Sequence, residues 1–169
     1  EMTTSDALAE RGTIPRVLSI AGTDPSGGAG TAADTKSIVA AGGYAMVVVT
    51  YLVAQNTEGV RAIHTPPTDF LVQQLAAVSD DVRIDAVKTG ILGTAEIVDA
   101  VATFLDEHRP PVVVVDPVMV ATSGDRLLAP DAEAAMREFC RRATVITPNI
   151  PELAVLCRSE PATTPEQAV

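Results

Sequence analysis

Short apolar segments alternate with amphipathic stretches along the chain. Continuous runs of aliphatic and β-branched residues predict strands at 16–22, 44–55, 84–90, 111–118 and 143–149. The intervening stretches, several of which place apolar residues every three or four positions, predict helices at 30–41, 67–80, 94–108, 130–142 and 150–157. Alternation of this kind predicts an α/β fold, with a mostly parallel sheet flanked by helices on both faces.

The length of 169 residues suits one domain. We predict a flexible leader at 1–15, an α/β domain at 16–157, and a linker or the start of a truncated helix at 158–169. Thr164 has the pattern of a helix N-cap, since Pro165 stands at the first helical position and Gln167 three residues after the cap. A helix that begins there runs out of chain at once, so we expect the domain to be truncated at its C-terminal end.

Composition and charge narrow the range of partners. Hydrophobic residues make up 47% of the chain and aromatic residues only 3%, which predicts an aliphatic core. The formal net charge of −10 disfavours nucleic acid, because phosphate backbones would be repelled. No apolar run reaches the roughly 18 residues of a membrane helix, and the N-terminus lacks a signal-peptide pattern. We therefore expect a cytoplasmic protein without membrane contact, in which Cys140 and Cys157 are reduced and buried.

Polar residues follow every predicted strand. In open parallel sheets, ligands bind outside the carboxyl ends of the strands, so groups at those positions share one edge. The residues in question are Gly22, Thr23 and Asp24, then Gln55 and Asn56, then Lys88, Thr89 and Gly90, then Asp116, and finally Thr147 and Asn149. The pattern predicts a single ligand site along this edge without naming the ligand.

A glycine-rich loop follows the first predicted strand, in the segment LSIAGTDPSGGAGTAADTKS at 18–37. It lacks the G-x-x-x-x-G-K-[ST] phosphate loop. Residues 28–33 match the G-x-G-x-x-A dinucleotide pattern, but 23–27 separate them from the strand, and no acidic residue closes the second strand. Because glycine removes the Cβ atoms that would block a ligand, the loop favours close approach of the backbone to a small polar molecule.

Several polar positions are open to more than one interpretation from the residues alone. Asp34 is either a solvated carboxylate in the first helical turn or a group facing the space that the glycines open. Lys88 is either a cation for phosphate or a surface lysine. Asn149 and Glu152 form either a capping box or a pair that orients hydrated Mg²⁺ and phosphate. Asp116 ends a buried strand, where a carboxylate requires a hydrogen bond, an opposite charge or a cation.

Five segments together resemble one enzyme family. They are IAGTDPSGGAGTAADTK, VVTYLVAQNTEGV, DAVKTGILG, VVVDPVMVATSGDRLL and VITPNIPEL, in this order between residues 16 and 156. The chain resembles the hydroxymethylpyrimidine/phosphomethylpyrimidine kinases of thiamine biosynthesis, which have a ribokinase-like fold. The resemblance implies ATP-dependent phosphorylation of 4-amino-5-hydroxymethyl-2-methylpyrimidine and then of its monophosphate.

The resemblance also implies roles for particular residues. The substrate pocket would contain Gly22, Ala29, Asp34, Gln55 and Ile91. ATP would be bound with the help of Lys88, Asn149 and Glu152, and Mg²⁺ by Asp116 and Glu152, with Asp116 also the catalytic candidate. Members of the family are longer, and their later part carries a glycine-rich anion hole and the residue that activates the acceptor hydroxyl. The sequence does not fix the oligomeric state, and the resemblance is compatible with a homodimer, since ribokinase-like enzymes are often dimers.

Three other functions are compatible with parts of the pattern. A pyridoxal kinase of the same superfamily would differ in its acceptor. A truncated kinase fold could bind the pyrimidine without turning it over. A dinucleotide-dependent oxidoreductase would bind NAD, which the glycine loop does not favour.

Overall fold

The computed structural model describes residues 13–119 and 127–164. Its strands are β1 (Arg16–Ala21), β2 (Tyr44–Val49), β3 (Leu52–Asn56), β4 (Gly59–His64), β5 (Ala86–Thr89), β6 (Val112–Val115) and β7 (Val145–Ile146). Its helices are α1 (Gly30–Ala40), α2 (Thr68–Ser79), α3 (Ala95–His108), α4 (Glu133–Cys140), preceded by a 3₁₀ turn at Pro130–Ala132, and α5 (Ile150–Cys157). Most of the predicted leader and the residues after Thr164 lie outside the described ranges.

The central sheet has five strands in the order β2-β1-β5-β6-β7, and every neighbouring pair is parallel. The predicted α/β class and the mostly parallel sheet are therefore confirmed. The last strand is shorter than the predicted 143–149, because only Val145 and Ile146 pair with β6. The carboxyl ends of all five strands meet at one edge, as the parallel arrangement requires.

The prediction of one strand at 44–55 is wrong. The chain leaves the sheet after Val49, where the Thr50 hydroxyl donates to the Ile91 carbonyl at 2.7 Å and Tyr51 enters the core with 5% of its surface exposed. The remaining residues form β3, which pairs antiparallel with β4 in a separate two-stranded sheet. Gln55 therefore belongs to this hairpin and not to the central sheet, and β4 was not predicted at all.

The two faces of the sheet are covered by different helices. Because side chains alternate along a strand, Leu18 and Ile20 face one side while Ser19 faces the other. The Leu18 side packs in one aliphatic core with α2, α3 and α4. The Ser19 side is covered by α1, whose Asp34 accepts a hydrogen bond from the Ser19 hydroxyl. Helices thus lie on both faces, as predicted.

The helices end where local chemistry requires. Thr94 caps α3 by accepting from the Ile97 amide, and Arg109, with a φ of 47°, ends it. Cys140 is half-buried, which raises the pKa of its thiol to about 11, whereas Cys157 is exposed, so the prediction of burial fails for Cys157. Across 13–119 and 127–164, no helix combines the length and the apolar character needed to cross a membrane.

Candidate active site

The glycine loop between β1 and α1 is organised around one buried carboxylate. Asp24 is 6% exposed, and its two oxygens accept from the amides of Ser26 at 2.8 Å, Gly28 at 3.0 Å and Ala29 at 2.8 Å. The Ser26 hydroxyl adds a fourth bond at 2.7 Å. Burial raises the pKa of Asp24, but hydrogen bonds from Ser26, Gln55 and Ala29 outweigh it and lower that pKa to about 2.

These bonds limit what the loop can bind. A phosphate-binding loop offers free backbone N–H groups to the ligand. Here the Ser26, Gly28 and Ala29 amides already point at Asp24. The geometry therefore does not favour a dinucleotide pyrophosphate at this loop. Gly30 is required where α1 begins, because its φ is +54° and a Cβ would overlap the Gly22 carbonyl oxygen.

The β3–β4 hairpin is attached to the start of this loop. The Thr23 amide donates to the Tyr51 carbonyl at 2.9 Å, and the Thr23 hydroxyl accepts from the Val53 amide at 2.9 Å. This attachment brings Gln55 of β3 beside Asp24. Its side-chain amide can donate and accept hydrogen bonds at once, which suits the edge of a heterocycle.

A charged cluster lies beneath the carboxyl edge, on the Ser19 face. Asp34 accepts from the Ser19 hydroxyl at 2.6 Å and pairs with the Lys88 ammonium at 3.0 Å. The same ammonium lies 3.9 Å from a carboxylate oxygen of Asp116, which follows β6. Asp34 is therefore not a solvated carboxylate, because its oxygens are bound by Ser19 and Lys88. Its place in the substrate pocket stays a prediction.

Asp116 occupies an environment that disfavours its charge. Burial raises the pKa of Asp116 above its usual range, and the Glu152 and Asp34 carboxylates raise it further. Lys88 opposes them by stabilising the charged form. A carboxylate held among other carboxylates at a sheet edge is a position that a bound cation would stabilise.

Asn149 and Glu152 form the capping box of α5. Asn149 Oδ1 accepts from the Glu152 amide at 2.9 Å, and Glu152 Oε2 accepts from the Asn149 amide at 2.9 Å. Glu152 Oε1 also accepts from the Met119 amide at 3.1 Å, so this carboxylate, 4% exposed, joins α5 to the segment after β6. The capping interpretation is confirmed, and it places both side chains at the sheet edge.

A cavity of about 630 Å³ lies between the loop, the hairpin and the ends of β6 and β7. It is lined by Asp24, Ser26 and Ala29, by residues 55–60, and by Asp116, Val118, Leu127, Thr147, Asn149 and Glu152. A smaller cavity of about 240 Å³ lies at the opposite edge, between the segments that precede β5 and β6. The larger cavity is therefore the one at the carboxyl ends, where parallel sheets bind ligands.

The structure brings together most of the residues predicted for the site. Ala29, Gln55, Asp116, Asn149 and Glu152 line the cavity. Four of the predicted residues are not among those that line it: Gly22, Asp34, Lys88 and Ile91. A Cβ on Gly22 would stand 2.7 Å from Ile91 Cγ2, so Gly22 lets the Ile91 side chain pack against the loop.

Sequence reasoning missed two contributions to the cavity. Asp24 was noted only as one of the polar residues after the first strand, although an Asp followed by Pro, Ser and Gly is typical of a side-chain-to-backbone turn. The hairpin turn at Asn56–Gly59 was also missed. There Asn56 Oδ1 accepts a hydrogen bond from the Glu58 amide at 2.9 Å. The sequence signal for this turn was Asn56 followed three residues later by Gly59.

Within the described ranges, no cluster of three or more His, Cys, Asp or Glu side chains has the geometry to hold a metal by itself. Mg²⁺ fits the site in another way, because it usually keeps several waters and needs only one or two carboxylates together with phosphates. Asp116 and Glu152 both line the cavity and meet that requirement. Both Glu152 oxygens already accept backbone bonds, so Asp116 could contact such an ion directly and Glu152 could contact it only through a water.

The parallel sheet and its ligand cavity define a ribokinase-like α/β protein. Residues 24–169 match the phosphomethylpyrimidine kinase family, and the chain belongs to that family. It is similar to the thiamine biosynthesis multifunctional protein ThiED of Corynebacterium glutamicum, with 62% identity over 155 residues, which are 92% of this chain and 20% of the relative. The hydroxymethylpyrimidine/phosphomethylpyrimidine kinase of Escherichia coli is 48% identical over 151 residues, which are 89% of this chain and 57% of the relative.

Solved structures show the same similarity. The phosphomethylpyrimidine kinase of Clostridium difficile superposes with a TM-score of 0.81 at 39% identity, covering 86% of this chain and 64% of that one. The pyridoxal kinase of Staphylococcus aureus in complex with pyridoxal superposes with a TM-score of 0.82 at 34% identity, covering 92% of this chain and 56% of that one. The chain thus spans little more than half the length of the Escherichia coli relative, and a fifth of the Corynebacterium one.

Proposed function

We propose that this chain provides the acceptor side of an enzyme that phosphorylates an aminopyrimidine. The reaction transfers the γ-phosphoryl group of ATP to the hydroxymethyl oxygen of 4-amino-5-hydroxymethyl-2-methylpyrimidine and then to the phosphate of the resulting monophosphate. Membership of the phosphomethylpyrimidine kinase family supports this proposal, and so does the name of the Escherichia coli relative.

The observation that carries the proposal is the composition of the 630 Å³ cavity. Gln55 lies on one side and provides an amide, whereas Asp116 and Glu152 lie on the other and provide carboxylates. A flat polar ring suits the first side, and a cation with phosphates suits the second. Phosphoryl transfer needs mainly positioning and charge stabilisation, so such a division is sufficient for the acceptor half of the site.

ATP and Mg²⁺ are the proposed cofactors. When bound, Mg²⁺ would neutralise charge on the phosphates during transfer. Asp116 would hold the ion, and Glu152 would orient one of its waters while it keeps α5 in place through Asn149. In the family that the chain resembles, the group that takes the proton from the acceptor hydroxyl belongs to the later part of the longer sequences, and no residue is proposed for that role here. The cytoplasmic location stays a prediction from the sequence of the N-terminus and the length of the apolar runs, and the homodimer one from the resemblance.

A pyridoxal kinase is the second candidate, favoured by the similarity to the Staphylococcus aureus enzyme. The experiment is an assay of ADP release by the full-length protein, with the aminopyrimidine, its monophosphate or pyridoxal as acceptor. We expect kcat/KM to be at least tenfold higher with the aminopyrimidine. Preference for pyridoxal would support the second candidate, and no turnover with either pyrimidine would contradict the proposal.

Calorimetry with the 169-residue chain separates binding from catalysis. We expect it to bind the aminopyrimidine and Gln55→Ala to weaken that binding by about tenfold, because one or two hydrogen bonds to the ring are lost. Gln73→Ala, on the exposed side of α2, serves as the control. Pyrimidine binding by a complete protein that shows no ATP turnover would identify a binding module instead of a kinase.

A further inference from the structure

The charged cluster on the Ser19 face is assembled from four parts of the chain. Ser19 of β1 and Lys88 of β5 are direct partners in the parallel register, so their side chains point to the same face. Asp34 approaches them from α1, and Asp116 from the end of β6. The cluster therefore connects the helix that follows the glycine loop to the carboxylate side of the cavity.

Asp34 and Lys88 are bound mainly to each other. The Lys88 ammonium lies 3.0 Å from Oδ1 and 3.1 Å from Oδ2 of Asp34, so both carboxylate oxygens contact it. The fully buried Ser19 hydroxyl donates to Oδ2 at 2.6 Å. The side chains of Lys88 and Asp34 are only 25% and 16% exposed, which limits solvent screening of the pair.

Asp116 is the second carboxylate beside the ammonium. Its Oδ2 lies 3.9 Å from Lys88 Nζ, a distance for attraction between charges but too long for a hydrogen bond. Lys88 itself does not line the cavity, whereas Asp116 does. The ammonium thus attracts the carboxylate that faces the ligand space without itself lining that space.

We propose that Lys88 is a positioning residue that acts through Asp34 and Asp116, and that it is not a direct ligand of the phosphates. It holds α1 against the ends of β5 and β6 and keeps the Asp116 carboxylate oriented toward the cavity. This inference rests on the proposed kinase function, and it replaces the prediction that Lys88 binds ATP.

A double-mutant cycle in the ADP-release assay of the complete protein tests the catalytic part. We expect Lys88→Met and Asp34→Asn each to lower kcat by about tenfold or more, because misplacing a group at the site by an ångström can cost about a hundredfold. The double variant should lose about as much as the worse single variant, since both changes remove the same contact. The KM for ATP should change less than about twofold, because no phosphate contact is lost.

Two further variants give this cycle its controls. Lys88→Arg keeps a cation that can contact both Asp34 oxygens, so it should recover a substantial part of kcat. Arg83→Met removes a cation that is 76% exposed near the amino end of β5, and it should leave kcat unchanged. Thermal unfolding of each variant shows which of them fold.

An NMR measurement on the 169-residue chain tests the contact without any catalysis. The chain has only two lysines, Lys36 and Lys88. With ¹⁵N in the lysine side chains, Lys88 should give a slowly exchanging ammonium signal, which Lys88→Arg assigns by its disappearance. Asp34→Asn should abolish this slow exchange. Lys36, whose ammonium donates to the Gly27 carbonyl at the exposed side of α1, is the internal reference and should not respond to Asp34→Asn.

The outcomes separate the two proposals. If the unaltered protein turns over, two results would overturn the positioning role alone. One is that the kcat losses of the two single variants multiply in the double variant, and the other is a tenfold rise in the KM for ATP in Lys88→Met. An ammonium of Lys88 that exchanges as fast in the unaltered chain as in Asp34→Asn would also overturn it. Absence of pyrimidine-dependent turnover in the unaltered protein would contradict the proposed function, and the catalytic role of Lys88 with it.

Discussion

On one face of the central sheet, Leu18, Ile20, Val87 and Val115 are completely buried beneath α2, α3 and α4. The opposite face carries the buried Ser19, the partly exposed Lys88, and Val47 and Val112, which are 36% and 39% exposed. The strands are the same, and only the alternation of side chains separates an aliphatic core from a charged and partly open surface. Stability is therefore concentrated on one face and candidate chemistry on the other.

The largest effect should come from the aliphatic face. Leu18→Ala removes a side chain with no exposed surface, and we expect it to lower the free energy of unfolding by about 2–5 kcal/mol. Val47→Ala, on the opposite face of the neighbouring strand, is the matched control and should cost far less. Denaturant unfolding of both variants measures the difference. Equal losses of unfolding free energy in the two variants would contradict the conclusion that stability is concentrated on the aliphatic face.

A smaller loss is expected where the charged face meets the glycine loop. Gly30→Ala should cost about 2–3 kcal/mol, because alanine is strained at a φ of +54° and its Cβ overlaps the Gly22 carbonyl. Gly42→Ala also has a positive φ, of +85°, but no atom lies within 4 Å of its Cβ, so it should cost only about 1 kcal/mol. Denaturant unfolding compares the two, and a larger loss at Gly42 would show that overlap at Gly30 is unimportant.

The Asp24 carboxylate gives the loop a pH dependence that the aliphatic face lacks. Its pKa of about 2 in the folded protein lies below the usual value near 4, so its charged form stabilises the fold at neutral pH. We expect Asp24→Asn to lose about 1–2 kcal/mol at pH 6, after allowance for solvent screening. Most of this difference should be lost as the pH falls from about 4 to about 2, where the folded-state pKa is reached. Unfolding of both proteins across that range measures it, and a difference that is undiminished at pH 2 would contradict the assignment.

The smallest effect should occur on the open part of the charged face. Val47→Thr replaces a partly exposed residue with a β-branched residue of similar shape, and we expect a change within about 0.5 kcal/mol. The same replacement at Val48, whose surface is fully buried on the other face, should cost at least 1 kcal/mol more, because the hydroxyl would lack solvent. Comparable changes in unfolding free energy at Val47 and Val48 would contradict the difference between the two faces.

The sequence was sufficient to predict the class of fold and the sheet edge at which the candidate site lies. Continuous valine runs, such as the one before Asp116, identify buried parallel strands, and the polar residues that follow them share an edge by geometry alone. The break after Val49 was not predictable in the same way. Thr50 and Tyr51 have the composition of a strand, and they leave the sheet because of contacts with Ile91 and the core, which no local pattern encodes.

The same distinction applies to the site residues. Gln55 and Asp116 were identifiable as residues after strands or from the family resemblance. The ion pair of Asp34 with Lys88 was not, because it joins positions 54 residues apart and depends on the register of β1 against β5. Position along a helix left two interpretations of Asp34 open, and its partners come from two strands of the sheet. Pairings of this kind require the three-dimensional arrangement.

The two oxygens of Glu152 have a consequence for motion. One accepts from Met119 and the other from Asn149, so a single side chain joins backbone segments that the chain separates by about thirty residues. Neither segment can open without breaking a bond held by that carboxylate. In hydrogen exchange, the amides of Met119 and Asn149 should therefore become accessible in one cooperative event with a common opening free energy.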